Sequence, residues 1–233
     1  MKVWKDRALL EHYLHIHRIE SVFHEQIVPH LSLYGFDRGE LVCSQGDPSQ
    51  YLYVLVKGKV KVYTTSAEGK TLILSFKTPL EVVGDIEYVQ GTDILNTIEA
   101  VSSVVMIGVH HRWLKKYAKD YPPLLQFLLR IITQKFAVKS NSLSFNLMYP
   151  VEVRLASYLL SVSFDESGSL FTEEPSAIHL MDTANLIGTS YRHLNRVIRQ
   201  FCKEGLIERH KGCILVKDRE GLSALANHNI YEK

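Results

Sequence analysis

The stretch Leu186-Ile-Gly-Thr-Ser-Tyr-Arg-His-Leu-Asn-Arg-Val-Ile-Arg-Gln-Phe201 divides into two helical halves around a turn. Thr183, Ala184, Leu186 and Ile187 mark a first short helix. Gly188 supplies the tight turn, since glycine adopts a positive φ at little steric cost, and Ser190 is a good N-cap for the next helix. There Leu194, Val197, Ile198 and Phe201 recur at spacing 3-1-3 and form a buried face. Tyr191, Arg192, Asn195, Arg196 and Arg199 lie between them and face outward. Residues near the start of such a second helix reach base edges in the major groove. Arg and Asn have the planar bidentate geometry that suits guanine and adenine respectively.

Local charge agrees. Residues 186 to 217 hold seven basic side chains (Arg192, Arg196, Arg199, Lys203, Arg209, Lys211, Lys217) and two acidic ones (Glu204, Glu208), a local +5 in a chain whose total is +2. Such a face attracts duplex DNA by neutralising phosphates and releasing counterions. Glu208 to Val216, with Lys211-Gly212 at its turn, reads as a two-stranded wing whose tip touches the DNA backbone. Upstream, Asp165 to Asp182 holds five carboxylates and no Lys or Arg.

Working toward the N-terminus, Val153, Leu155, Ala156, Leu159 and Leu160 mark a helix that opens this C-terminal domain, about 149–233. Before it, Tyr121-Pro122-Pro123 breaks one short helix (Trp113, Leu114, Tyr117, Ala118) and starts a long one running to about Leu147. Its apolar seam, Leu125, Leu129, Ile132, Phe136, Lys139, Leu143, follows a 4-3-4-3-4 spacing interrupted by one polar residue. That alternation belongs to a coiled-coil interface, so the 123–147 helix is the expected dimerisation element within a 111–148 linker region. A polar seam residue such as Lys139 specifies register.

Residues 36 to 109 have a different texture. Glycines at 39, 46, 58, 69, 84 and 91 punctuate short β-type runs: Leu52–Val56, Val60–Thr65, Leu72–Phe76, Val82-Val83, Asn96–Ala100 and Val104–Val109. This pattern predicts an antiparallel sandwich or roll. The first 35 residues carry apolar positions at helical spacing (Leu10, Leu14, Ile19, Val22, Phe23, Ile27, Leu31) and read as short helices. His12, His15, His17, His24 and His30 among them are expected to be exposed. The fold class is α+β: N-terminal helices and β-roll sensor over 1–110, long helix, winged helix-turn-helix.

Composition excludes several classes. With 233 residues, 46% hydrophobic and 22% charged, the chain is an ordinary globular one. No apolar run approaches the ~18 residues of a membrane span, and the N-terminus has no apolar signal region, so a cytoplasmic protein is expected. Cys43, Cys202 and Cys213 are scattered, with no C-x-x-C pair, and read as reduced thiols. All eleven histidines lie outside residues 31–109, so the roll lacks the inward ligands of a cupin-type metalloenzyme, and no metal site is expected. No P-loop, dinucleotide or nucleophile-elbow motif appears, and no catalytic residues are assigned.

The whole chain resembles the Crp/Fnr superfamily of bacterial transcription regulators. The resemblance rests on Arg38–Asp47, Leu52–Val62, Glu68–Ser75, Gly84-Asp85-Ile86 and Ile187–Arg196. Ser190–Leu194, Gln200-Phe201, Gly205-Leu206 and Leu222–Ala226 are similar to the YeiL branch in particular. It implies a homodimer on a pseudo-palindromic operator, with RNA polymerase as a partner if the protein activates. Ser190 would cap the helix and touch phosphate, Arg192 would read a base, and Arg196 a base or phosphate; Tyr191, Asn195, Arg199 and Lys211 complete the expected DNA-contacting set.

The sequence also departs from that pattern. Cyclic-AMP-binding members hold the cyclic phosphate with a Gly-Glu pair and a later Arg-Ser pair. Here the first is Gly84-Asp85, and the second falls near Ile94 to Asn96 with no Arg. From Thr78 to Val109 there is no Lys or Arg against five acids. A buried phosphate without a cationic partner is strongly disfavoured, so no cofactor is assigned and the effector is not expected to be cyclic AMP. The expected effector pocket is Gly84, Asp85, Ile86, Asn96, Thr97 and Lys139, for an unknown small molecule. The alternative is a constitutive or partner-controlled DNA binder whose roll serves as a scaffold. Oxygen sensing through an N-terminal cysteine cluster does not carry over, because no cysteine precedes Cys43. Many relatives place Glu two residues after the Ser/Thr cap; Arg192 stands there instead and favours guanine.

Overall fold

In the computed structural model, residues 1–69, 71–162, 180–210 and 213–226 are described. They form two packing units, Met1–Lys135 and Phe136–Lys233. The first unit contains β1 (Lys2–Trp4), α1 (Arg7–Ile16), β2 (Ser32–Phe36), β3 (Leu41–Cys43), β4 (Tyr51–Lys57), β5 (Val60–Thr65), β6 (Thr71–Lys77) and β7 (Glu81–Val83). It continues with α2 (Asp85–Gln90), β8 (Thr97–Ala100), β9 (Val104–His110), α3 (His111–Tyr117) and the start of α4 (Pro122–Met148). Two antiparallel sheets, ordered β1-β2-β9-β4-β7 and β3-β8-β5-β6, make the roll.

The five-stranded sheet separates two cores, which explains why its central strands are apolar on both faces. Alternate residues of β4 go opposite ways. Leu52, Val54 and Val56 join Leu10, Leu14, Ile19, Phe23, Ile27 and the α4 residues Leu124, Phe127, Leu128 and Ile131. Tyr53 and Leu55 join Tyr34, Phe36, Val60, Ile98, Ala100 and Met106 in the interior of the roll. In β9, Ile107 and Val109 take the first side and Val104 and Met106 the second.

The N-terminal reading is corrected in part. The apolar positions expected there are all buried, but only Arg7–Ile16 is an α-helix; two 3-10 turns follow, and β1 and β2 occupy the ends of the segment. The histidines are not uniformly exposed either. His17 Nε2 lies 2.9 Å from the Val56 carbonyl, and His30 stacks on Trp113 with ring centroids 3.7 Å apart.

His111, at the start of α3, is buried beside Tyr88, and its Nε2 has no hydrogen-bond partner among the described residues. Burial, with Lys115 nearby, lowers its pKa to about 4. The unfolded chain therefore takes up a proton near pH 6.5 that the folded chain refuses until about pH 4. Stability is full above pH 6.5 and falls as pH drops through that window, by up to about 3 kcal/mol. Urea denaturation between pH 4 and 7 should show this slope, and His111→Phe should flatten it.

The second unit contains the rest of α4, then α5 (Val151–Val162), α6 (Leu180–Leu186), α7 (Tyr191–Lys203), β10 (Ile207–His210), β11 (Cys213–Val216) and α8 (Arg219–Leu225). Its interior is Leu155, Ala156, Leu159, Ala184, Ile187, Leu194, Ile198, Phe201, Ile207 and Leu222.

Candidate nucleic-acid interface and the acidic corner of the roll

Helix α7 has the two faces its sequence demands. Leu194, Val197, Ile198 and Phe201 are each at most 1% exposed, while Tyr191, Arg192, Arg196 and Arg199 are exposed. The helix starts at Ser190, whose hydroxyl accepts the His193 N–H at 3.2 Å. Gly188 has φ +64°, as the turn requires. Behind the turn the buried Arg154 of α5 donates from Nη1 to the Ile187 and Gly188 carbonyls. It props the turn from inside, a part its sequence context did not reveal.

Arg192, Arg196 and Arg199 have no carboxylate partner among the described residues, so their charge is available to phosphate or bases. Asn195 differs from its expectation as a free base reader. Its Nδ2 donates to the Tyr191 carbonyl at 3.1 Å, and its Oδ1 accepts from Arg209 of β10 at 3.5 Å. The amide thus ties α7 to the wing strand. Strands β10 and β11 pair antiparallel from Ile207↔Val216 to His210↔Cys213, as expected for a wing. Lys211 and most of the acidic stretch lie outside the described residues.

Removing the cap should cost stability and binding by separable routes. Ser190→Ala is expected to lower unfolding free energy by ~1 kcal/mol. Ser190→Asp should restore that stability in thermal melts while leaving DNA affinity weak, because a carboxylate repels the phosphate the hydroxyl would touch.

The long helix α4 also has two faces. Leu124, Phe127, Leu128 and Ile131 are core. The expected seam residues Leu125, Leu129, Phe136 and Leu143 are exposed, Phe136 to 75%; Ile132 and Lys139 are half-buried.

In the roll, Gly84 has φ +83°, and a Cβ there would collide with the Tyr51 carbonyl oxygen, so only glycine fits. This places Asp85 at the buried start of α2. The cation that meets Asp85 is Lys135, which the sequence reading passed over. Its Nζ lies 2.9 Å from both Asp85 oxygens, 3.0 Å from Glu81 Oε1 and 2.6 Å from the Val82 carbonyl. Lys77 Nζ is 3.3 Å from the other Glu81 oxygen. Burial raises the Asp85 pKa, and Lys135 works against that rise. Lys139 lies one turn further along α4, in the second unit.

The other expected pocket residues are engaged within the roll. Ile86 is half-buried on α2. Thr97 Oγ1 accepts the Gln45 N–H at 3.0 Å, and the Asn96 carbonyl faces Cys43 Sγ at 3.9 Å. The Leu95 N–H donates to the buried Glu87 carboxylate at 3.0 Å. Burial pushes the Cys43 thiol up to about 12, which makes it inert as a thiolate nucleophile. The described residues contain no cluster of metal-ligating side chains and no helix long and apolar enough to cross a membrane.

A β-roll, a long helix and a winged helix-turn-helix in one chain define a regulator with a sensing domain and a DNA-binding domain. Residues 35–121 match the cyclic nucleotide-binding domain family, and residues 153–225 match the Crp-like helix-turn-helix domain. The chain belongs to the Crp/Fnr family of transcription regulators. It is 25% identical over 211 residues to the regulatory protein YeiL of Escherichia coli O157:H7, covering 89% of this chain and 93% of that one. It is 23% identical over 197 residues to the CRP-like cAMP-activated global transcriptional regulator of Mycobacterium tuberculosis, covering 82% and 86%. A CRP-family transcriptional regulator from Thermus thermophilus shares the fold with TM-score 0.70 at 19% identity, covering 86% and 100%. The relatives are transcription regulators rather than enzymes, and their helix-turn-helix implies DNA binding.

Proposed function

We propose that the protein acts as a homodimer, paired through the exposed seam of α4, on a pseudo-palindromic operator read by two copies of α7. The observation that carries this is the capped α7, with its buried apolar face and three arginines that have no carboxylate partner among the described residues. Arg192 reads a base, and Arg196 a base or phosphate. Ser190 and Tyr191 approach the backbone, Arg199 adds phosphate attraction, and Asn195 positions the wing. Half-sites lie about one helical turn, ~34 Å, apart. RNA polymerase is a partner if the site lies where the protein activates.

The roll is not built for a cyclic nucleotide in the pose of the cAMP-activated relative. Ile94, 8% exposed, and Leu95 stand where a phosphate-binding cation is needed, and the nearby N–H of Leu95 already meets Glu87. Selection from randomised duplex DNA with the purified full chain tests the proposal. A two-fold symmetric motif, unchanged by added cyclic AMP, is the expected result. An asymmetric motif, or one that emerges only with cyclic AMP, would overturn it.

A further inference from the structure

Lys135 sits in an arrangement that sequence alone does not announce. Two carboxylates and one carbonyl oxygen, drawn from β7 and the start of α2, converge on a single ammonium with four contacts of 2.6 to 3.0 Å. The Asp85 side chain is only 3% exposed and Glu81 11%, so water has little access. Such a cluster holds a cation firmly when charge and hydrogen bonds are matched, and it tolerates a missing partner poorly. Charge is matched here, Lys77 and Lys135 against Glu81 and Asp85. The second carboxylate of α2, Glu87, is also engaged from inside the roll by Leu95.

Lys135 is flanked on α4 by the seam residues Ile132 and Phe136. Its side chain therefore anchors to the roll the part of the helix from which the seam emerges. We propose that this acidic corner is an ammonium-binding site filled by the chain's own Lys135. Filling it holds α4 in its dimer-forming register with no added effector, and the ligand class that competes for the site is a primary amine. This rests on the dimer and operator proposed above.

The test uses the full chain. Lys135→Ala should weaken both self-association and operator binding by at least tenfold. Propylamine, which supplies the missing three carbons and ammonium, should restore much of the loss at millimolar concentration, and propanol should not. Lys135→Met keeps the apolar stem and reports the charge alone if the alanine variant folds poorly; it should lose affinity without responding to the amine. In the wild type, the Lys135 ammonium should give a 15N resonance with slowed proton exchange, a readout independent of DNA. A rapidly exchanging ammonium would overturn the site even if the DNA reading fails. Variants with wild-type affinity, or a wild type that binds its operator only after an effector is added, would overturn the regulatory inference while leaving the operator reading intact.

Discussion

Phe136→Glu is expected to turn the dimer into a folded monomer and to lower operator affinity by more than two orders of magnitude. Phe136 is 75% exposed and belongs to neither core, so the substitution leaves the fold of one chain undisturbed. Across a two-fold axis the same change places two carboxylates in an apolar seam formed by Leu129, Ile132 and Leu143. Burying an unpaired charge costs several kcal/mol, which exceeds what the remaining apolar contacts supply. A monomer then has one half-site's contacts instead of two, and it loses the steep salt dependence that a large phosphate footprint produces. Sedimentation equilibrium and DNA titration on the same sample check both halves. A Phe136→Glu protein that remains a dimer with unchanged affinity would place the interface elsewhere.

Arg192→Ala carries the second large effect, a loss of about 1–3 kcal/mol per half-site, felt twice in a symmetric complex. The loss should be confined to operators with the preferred base at one position, so repeated selection should recover a motif relaxed there. Arg192→Glu should shift that position from guanine toward cytosine, because a carboxylate accepts from the cytosine amino group. Arg196→Ala separates its two candidate roles. A phosphate contact gives a uniform loss across sequences and a shallower salt slope, whereas a base contact relaxes a second position. If Arg192→Ala binds all sequences as the wild type does, the arginine is a solvated residue and readout lies with its neighbours.

The elements that carry these expectations were legible because each has a strong local signal. Helix α7 combines a Ser cap, a Gly turn and apolar positions spaced for one face. Both faces of α4 could be traced, since the seam expected at Leu125, Leu129, Phe136 and Leu143 is the exposed one. Strands β4, β5, β6, β7, β8 and β9 were found from their β-branched runs between glycines. Three short strands were not. β1 and β3 have three residues each, too few for a period to show. β2 follows directly on apolar residues at helical spacing and was absorbed into them.

The effector-pocket residues show the opposite case. Gly84 and Asp85 were identified by pattern, and the structure gives them physical reasons: a positive φ against a carbonyl and a buried ion pair. Asn195 was read as a base reader from its residue type. Its amide instead bridges Tyr191 and Arg209, a contact 14 residues along the chain.

By itself the sequence determined which residues of each helix and strand face inward, where the turns fall, and that the positive charge gathers on one helix-turn-helix. Those properties follow from steric and hydrophobic rules acting over a few residues. Tertiary structure alone decided which apolar face meets which core across the central sheet. It also decided that Arg154 props the turn 33 residues away, and that Lys135 rather than Lys139 meets Asp85. An ion pair between residues 50 apart leaves no periodic trace, because its partners need be near only after the chain has folded. Charge and residue type propose such partners, and only the packing of β7, α2 and α4 selects among them.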